Sequence, residues 1–178
     1  MQTSQLQFYY DFSIASKFGI VLTLVSEDKI GSDGKAYKKW GVLLKFLPSD
    51  PNQQMKYDTD RAFTMKTSIE NLAAFSGALL AAYKGEPVKF SIFTDSSKSV
   101  VSSQQEVMKV FTITNIDPKT QKVNPDKIYV GAYKSDKTTG IKDGDGMYID
   151  RFTAYGWHKV LEKFLDVVIY SIVQKSIV

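Results

Sequence analysis

Lysines and aromatic rings recur at alternating positions along several apolar segments of this chain. That pairing suits one chemistry well: rings stack on unpaired bases while ammonium groups follow phosphates. In the segment from Lys38 to Leu47, Trp40, Val42, Leu44 and Phe46 fall on one side of a period-two alternation, and Tyr37, Lys39, Leu43 and Lys45 on the other. Further along, Lys89, Ser91 and Phe93 share a polar side, and Lys127, Tyr129 and Tyr133 share another. Tyr9, Lys17 and Thr23 take the corresponding side of the first two segments. Lys98 stands in the run TDSSKS, whose hydroxyls, loop amides and single cation can hold a phosphate, although the same residues make an ordinary polar turn.

Other chemistries find little material. The chain has no Cys and a single His, His158, one residue after Trp157 in a helix-patterned stretch, where a surface or packing role explains it. No phosphate-cradling Gly-Lys-Ser/Thr loop and no dinucleotide glycine fingerprint are present. Asp143, Asp145 and Asp150 could be drawn around a metal, but KDGDG lacks the spacing of a calcium loop and reads as hairpin-turn residues before a strand. No catalytic residue, metal or cofactor is expected. The formal charge is +4, from 23 basic and 19 acidic residues, which permits a polyanionic partner. Arg61 and Arg151 are the only arginines, so contact with a nucleic-acid backbone is expected rather than reading of base edges by guanidinium forks.

The elements that must position these side chains follow from periodicity and turn chemistry. Leu6 to Ile14, Phe18 to Val25, Lys38 to Leu47 and Arg61 to Lys66 read as strands. SEDKIGSDGKAYK reads as a long hairpin loop and PSDPNQQMKYD as a break. A helix follows, with Thr67 and Glu70 at capping-box spacing and Leu72, Phe75, Leu79 and Tyr83 on one face. Gly85 supplies its left-handed exit and Pro87 stops it. The order then repeats: Val88 to Thr94, Val107 to Ile116, Ile128 to Tyr133 and Met147 to Phe152 read as strands. From Tyr155 a second helix carries Trp157, Leu161, Phe164, Leu165, Val168 and Ile172. Val160, Val167, Ile169 and Val173 widen its apolar stripe, so it should be covered on more than one side, either in the core or against another subunit. With 178 residues, the expectation is one α+β domain over 1–178. It consists of two β-β-β-β-α pseudo-repeats, approximately 1–86 and 87–178, with antiparallel sheets packed around helices.

This element order resembles the Whirly family of single-stranded-DNA-binding proteins over approximately residues 6–175. The resemblance implies that an extended strand binds across sheet faces and edges, and that copies assemble through helices. The lysine-glycine-lysine motif of the plant members is not found; YKKWGVLLKF is a basic strand of another pattern, so no site residue is carried over from the family. The resulting expectation is a non-enzymatic binder of single-stranded DNA, or of RNA, with little sequence preference. It would act in replication, repair, transcription or viral genome handling and form a homo-oligomer through the C-terminal helix. A structural or assembly protein without nucleic-acid binding is the alternative. The N-terminus lacks a basic region followed by an apolar core, and no apolar run is long enough to cross a bilayer. An intracellular protein without a membrane partner is therefore expected.

Overall fold

A computed structural model of the chain describes residues 18–48, 50, 57–95, 107–136 and 142–176. The first expected strand, Leu6 to Ile14, lies outside them. Three strands, β1 (Phe18–Ile30), β2 (Ala36–Pro48) and β3 (Phe63–Thr67), form an antiparallel sheet in that order and lead into α1 (Ile69–Tyr83). Four more, β4 (Lys89–Asp95), β5 (Val107–Thr114), β6 (Ile128–Asp136) and β7 (Lys142–Ile149), form a second antiparallel sheet and lead into α2 (Arg151–Ser176). The fold is α+β, with both sheets antiparallel.

Alternation places one face of each sheet in the core. The pairs Ile20 with Phe46, Leu22 with Leu44 and Leu24 with Val42 stand opposite one another across β1 and β2, and all six side chains are buried. In the second sheet Ile92 stands beside Phe111, and Ile113 beside Val130. These inner faces meet the helices in one core: Ile20, Leu22 and Leu44 of the first sheet and Phe111 of the second line the same small cavity as Leu72 and Phe75 of α1 and Trp157 and Leu161 of α2. The Phe75 and Phe111 ring centroids are 4.6 Å apart. Where α1 crosses α2, buried Ser76 and His158 join: the Ser76 hydroxyl and His158 Nδ1 are 2.9 Å apart. His158 is a packing residue, one of the two roles its setting in the sequence allows.

Several boundaries differ from the sequence expectation. The hairpin between β1 and β2 is short, because Ser26 to Ile30 and Ala36 to Trp40 are paired in the ladder despite their polarity. Helix α1 is capped by Ser68 and not by Thr67: the Asn71 amide donates to the Ser68 hydroxyl oxygen at 3.1 Å. Thr67 still belongs to β3, and its buried hydroxyl has no partner among the described residues. Ser68→Ala should therefore destabilise the protein by about 1 kcal/mol. Thr67→Val should be neutral or stabilising, since an unsatisfied buried hydroxyl is being removed. Urea titrations of the two variants check both signs, and the reverse ranking would restore Thr67 as the cap. At the other end, Gly85 has φ +79, its amide donates to Ala82 O, and the Glu86 amide donates to Ala81 O. This is the paired hydrogen-bond exit that a left-handed glycine permits.

KDGDG departs furthest from the expectation. It is not a turn but part of β7, which ends at Ile149, and the helix begins at Arg151 rather than Tyr155. The Thr153 amide donates to Asp150 Oδ1 at 2.7 Å, and this cap holds the Asp150 carboxyl below its ordinary range. Phe152, expected in a strand, is helical, and its ring stands 6.4 Å from that of Tyr83. Among the described residues no helix is long and apolar enough to cross a membrane.

Candidate nucleic-acid interface

Because the inner faces share a core, each sheet turns its other face outward. In the second sheet the strand register sorts that face into rows. Lys89, Thr114, Tyr129 and Tyr148 make the first; Ser91, Thr112, Gly131 and Gly146 the second; Phe93, Val110, Tyr133 and Gly144 the third. Lys142 stands one row further, beside Ser135. Phe93 is 62% and Tyr148 58% exposed, far more than rings placed for packing would be. Tyr129 and Tyr133 are half-buried.

The glycines of the second row explain the posture of Tyr129. A Cβ at Gly131 would lie 2.6 Å from the Tyr129 hydroxyl oxygen, and one at Gly146 would collide with the same atom. The ring lies down across two bare backbone positions and shields them, a known remedy for glycine in a sheet. Its centroid is 5.5 Å from that of Tyr148, with the planes at 64°. Cations border the rings: Lys127 Nζ is 5.7 Å from the Tyr148 centroid, and Lys142 Nζ is 5.2 Å from that of Tyr133. In the middle row the Ser91 and Thr112 hydroxyls are 2.8 Å apart.

The outward face of the first sheet has a different character. Tyr37, Lys39 and Lys45 are all exposed on β2, as alternation predicts. Lys39 stands opposite Glu27, and Lys45 lies between Val21 and Thr64. Glu27 is taken by Lys66 and by Lys29, the latter at 3.3 Å; their hydrogen bonds hold its carboxyl below the usual range. Lys39 and Lys45 form no ion pair with any described residue. They are six residues apart on one strand, about 20 Å, so one extended polyanion can meet both.

The structure thus gathers Lys89, Phe93, Lys127, Tyr129 and Tyr133 on the second sheet's outward face, and Tyr37, Lys39 and Lys45 on that of the first. Tyr9, Lys17 and Lys98 lie outside the described residues. Tyr148 and Lys142 stand on the same outward face but are not among the sequence candidates. Tyr148 alternates with Met147 and Ile149, a signal that was available; Lys142 was hidden in a segment that reads as a turn. Of the acidic residues considered for a metal, Asp143 is held by Arg61 and Lys134, each at 3.3 Å, and Asp150 caps α2.

No protein-family model matches the chain, and no curated protein sequence matches it. Comparison of three-dimensional structures does find relatives in shape. The crystal structures of WHY1 and WHY3 from Arabidopsis thaliana are each 18% identical to this chain, with TM-scores of 0.62 and 0.63. Each covers 96% of this chain, and 91% and 95% of the respective partner is matched. The structure of the plant transcriptional regulator PBF-2 is 14% identical, with a TM-score of 0.62 over 96% of this chain and 88% of the other. The fold is Whirly-like, as the element order implied.

Proposed function

We propose that this protein binds single-stranded nucleic acid, DNA foremost, with little sequence preference and no chemical step. The observation that carries this reading is the outward face of the second sheet, where Phe93, Tyr129, Tyr133 and Tyr148 stand among Lys89, Lys127 and Lys142. Bases stack on the rings, each contact contributing about 1–3 kcal/mol, and the lysines neutralise phosphates. Low specificity is supported by the fate of the two arginines. Arg61 is paired with Asp143 and Arg151 with Asp126, so neither guanidinium is offered to a guanine edge. The likeness in fold to a plant transcriptional regulator is in keeping with this reading. Strands exposed during replication, repair, transcription or viral genome handling, all inside a cell, are the corresponding targets.

Fluorescence anisotropy tests it, using a labelled single strand of ~30 nucleotides, its RNA counterpart and the duplex at two salt concentrations. Salt-sensitive binding that prefers the single strand is expected, and absence of binding at low salt would remove the reading. The first sheet contributes through charge. Lys39→Ala with Lys45→Ala should weaken binding and reduce the slope of log affinity on log salt by about 1.4, the value for two phosphates of a single strand. An unchanged slope would take β2 out of the interface.

Self-association through α2 is the second part of the proposal. Val167, Ile169, Tyr170 and Val173 are 40–63% exposed, on the side of the helix turned away from buried Phe164, Leu165 and Val168. A second copy of the chain is the occupant that fits, because a matching apolar strip then covers each one. Sedimentation should give a mass above the 20.0 kDa of one chain, and Ile169→Lys should return it to that value. A wild-type protein already sedimenting at 20.0 kDa would overturn this part.

A further inference from the structure

The first row of the second sheet's outward face ends in a pocket. Residues 115–127 leave β5 and return to β6, and between this connection and the row lies a cavity of about 460 Å³. That volume is in the range of small-ligand sites. Tyr129 and Tyr148 provide aromatic surface, Ile116 and Pro118 an apolar wall, and Lys89 and Lys127 two cations in the same lining. Asp117 also lines the pocket, its carboxyl held below its ordinary range by the Thr120 and Lys119 amides and by the Lys127 charge; Asp126, the acidic neighbour of Lys127, is engaged by Arg151 at 3.3 Å, and Lys89 has no ion-pair partner among the described residues.

The wall is held in shape by its own hydrogen bonds. The amides of Lys119 and Thr120 both donate to Asp117 Oδ1 at 2.8 Å, and the Gln121 amide donates to Asp117 O at 2.9 Å. Gln121 occupies the left-handed region with φ 58, and its side-chain amide donates to Pro118 O at 2.9 Å. The Asn124 amide donates to Asn115 O at 2.7 Å. Buried Asn115 in turn accepts from the Val88 amide and donates to Glu86 O, each at 2.8 Å. The loop is therefore tied to the sheet and to the exit of α1, and little ordering remains to be done when a ligand enters.

We infer that this pocket takes one nucleotide, its base stacked on Tyr148 with Tyr129 and Pro118 at its edge and its phosphate between Lys89 and Lys127. The same chemistry is offered by a free nucleotide and by one residue of a bound strand; the second source rests on the strand-binding reading above. Adenosine 5′-monophosphate, titrated to millimolar concentration into the full ¹⁵N-labelled chain, should shift amide resonances of residues 116–127 and Tyr148 and leave those around Phe93 in place. Tyr148→Ala should abolish these shifts and lower the affinity for a ~30-nucleotide single strand by about ten-fold, the effect of one stacked base. Tyr148→Phe, which keeps the ring, should restore both and so excludes misfolding as the cause.

The arms separate the two readings. Displacement of the mononucleotide by the strand makes the pocket a subsite of the strand interface. Shifts with the mononucleotide but no binding of any strand leave a free-nucleotide site and remove the strand reading. A strand bound equally well by Tyr148→Ala, with pocket resonances unmoved by the mononucleotide, overturns the pocket while leaving the strand reading intact.

Discussion

A variant carrying both Phe93→Ala and Tyr133→Ala is expected to bind a ~30-nucleotide single strand about 100-fold more weakly than the unaltered protein, two stacking contacts having been removed. The two rings stand in one row with Val110 between them, and Val110 is only 1% exposed although its side chain points outward. Removing the rings uncovers an apolar seam and leaves no aromatic surface in that row. No charge is lost, so the slope of affinity on salt should stay as it was. That combination separates this variant from Lys39→Ala with Lys45→Ala, where the slope itself should change. Anisotropy at three or more salt concentrations reads both quantities. Equal affinity of the double variant and the unaltered protein would assign these rings to packing, for which strands also favour Phe and Tyr.

The largest effect on stability is expected from Leu79→Ala. Leu79 is 0% exposed on the face of α1 that also buries Leu72, Phe75, Ser76 and Ala82. Deleting its isobutyl group removes apolar contacts and leaves a cavity in a region fixed on several sides, a loss of about 2–5 kcal/mol. Against a total of about 5–15 kcal/mol for an ordinary domain, this is a large fraction. In urea the midpoint should fall with the slope unchanged, because the folded state buries nearly the same surface. Under conditions where the variant remains folded, strand affinity should be unaltered, since Leu79 is remote from both outward faces. A midpoint within experimental error of the unaltered protein would show that α1 can close around the gap.

The sorting of side chains into faces was legible because a period of two admits only two answers. Once Trp40, Val42, Leu44 and Phe46 were recognised as the apolar side, Lys39 and Lys45 had to face outward, and they do. The exit of α1 was equally plain, since Gly85 and Pro87 leave few alternatives. Other features depend on partners distant in sequence. Thr67 and Ser68 are adjacent hydroxyl residues that can each cap a helix, and Ser68, the better cap, takes the role while pairing with Val42 keeps Thr67 in the ladder. KDGDG has the composition of a turn, yet β6 lies alongside and takes its residues into a sheet, with Asp143 neutralised by Arg61 and Lys134. No local pattern announces that Lys89, from β4, and Tyr148, from β7, share one row; that is a consequence of strand order, which alternation does not encode. The pocket beside them was invisible for the same reason. Its wall is a connection that reads as turns, and its aromatic surface comes from two strands on the far side of that connection.

The sharing of one core by the two sheets sets the valence of the molecule. Since both inner faces are spent on that core, the lysines of β2 and the rings of the second sheet lie on two separate outward faces. On the strand-binding proposal, a short oligonucleotide would occupy one of them and leave the other vacant, and a long one would bend round a sheet edge or be shared between neighbours. Each copy would then be a two-handed connector, and mixing many copies with long strands should produce cross-linked, compacted particles, whereas short strands should leave discrete complexes in solution. Strand length, rather than sequence, would then decide between coating a nucleic acid and condensing it.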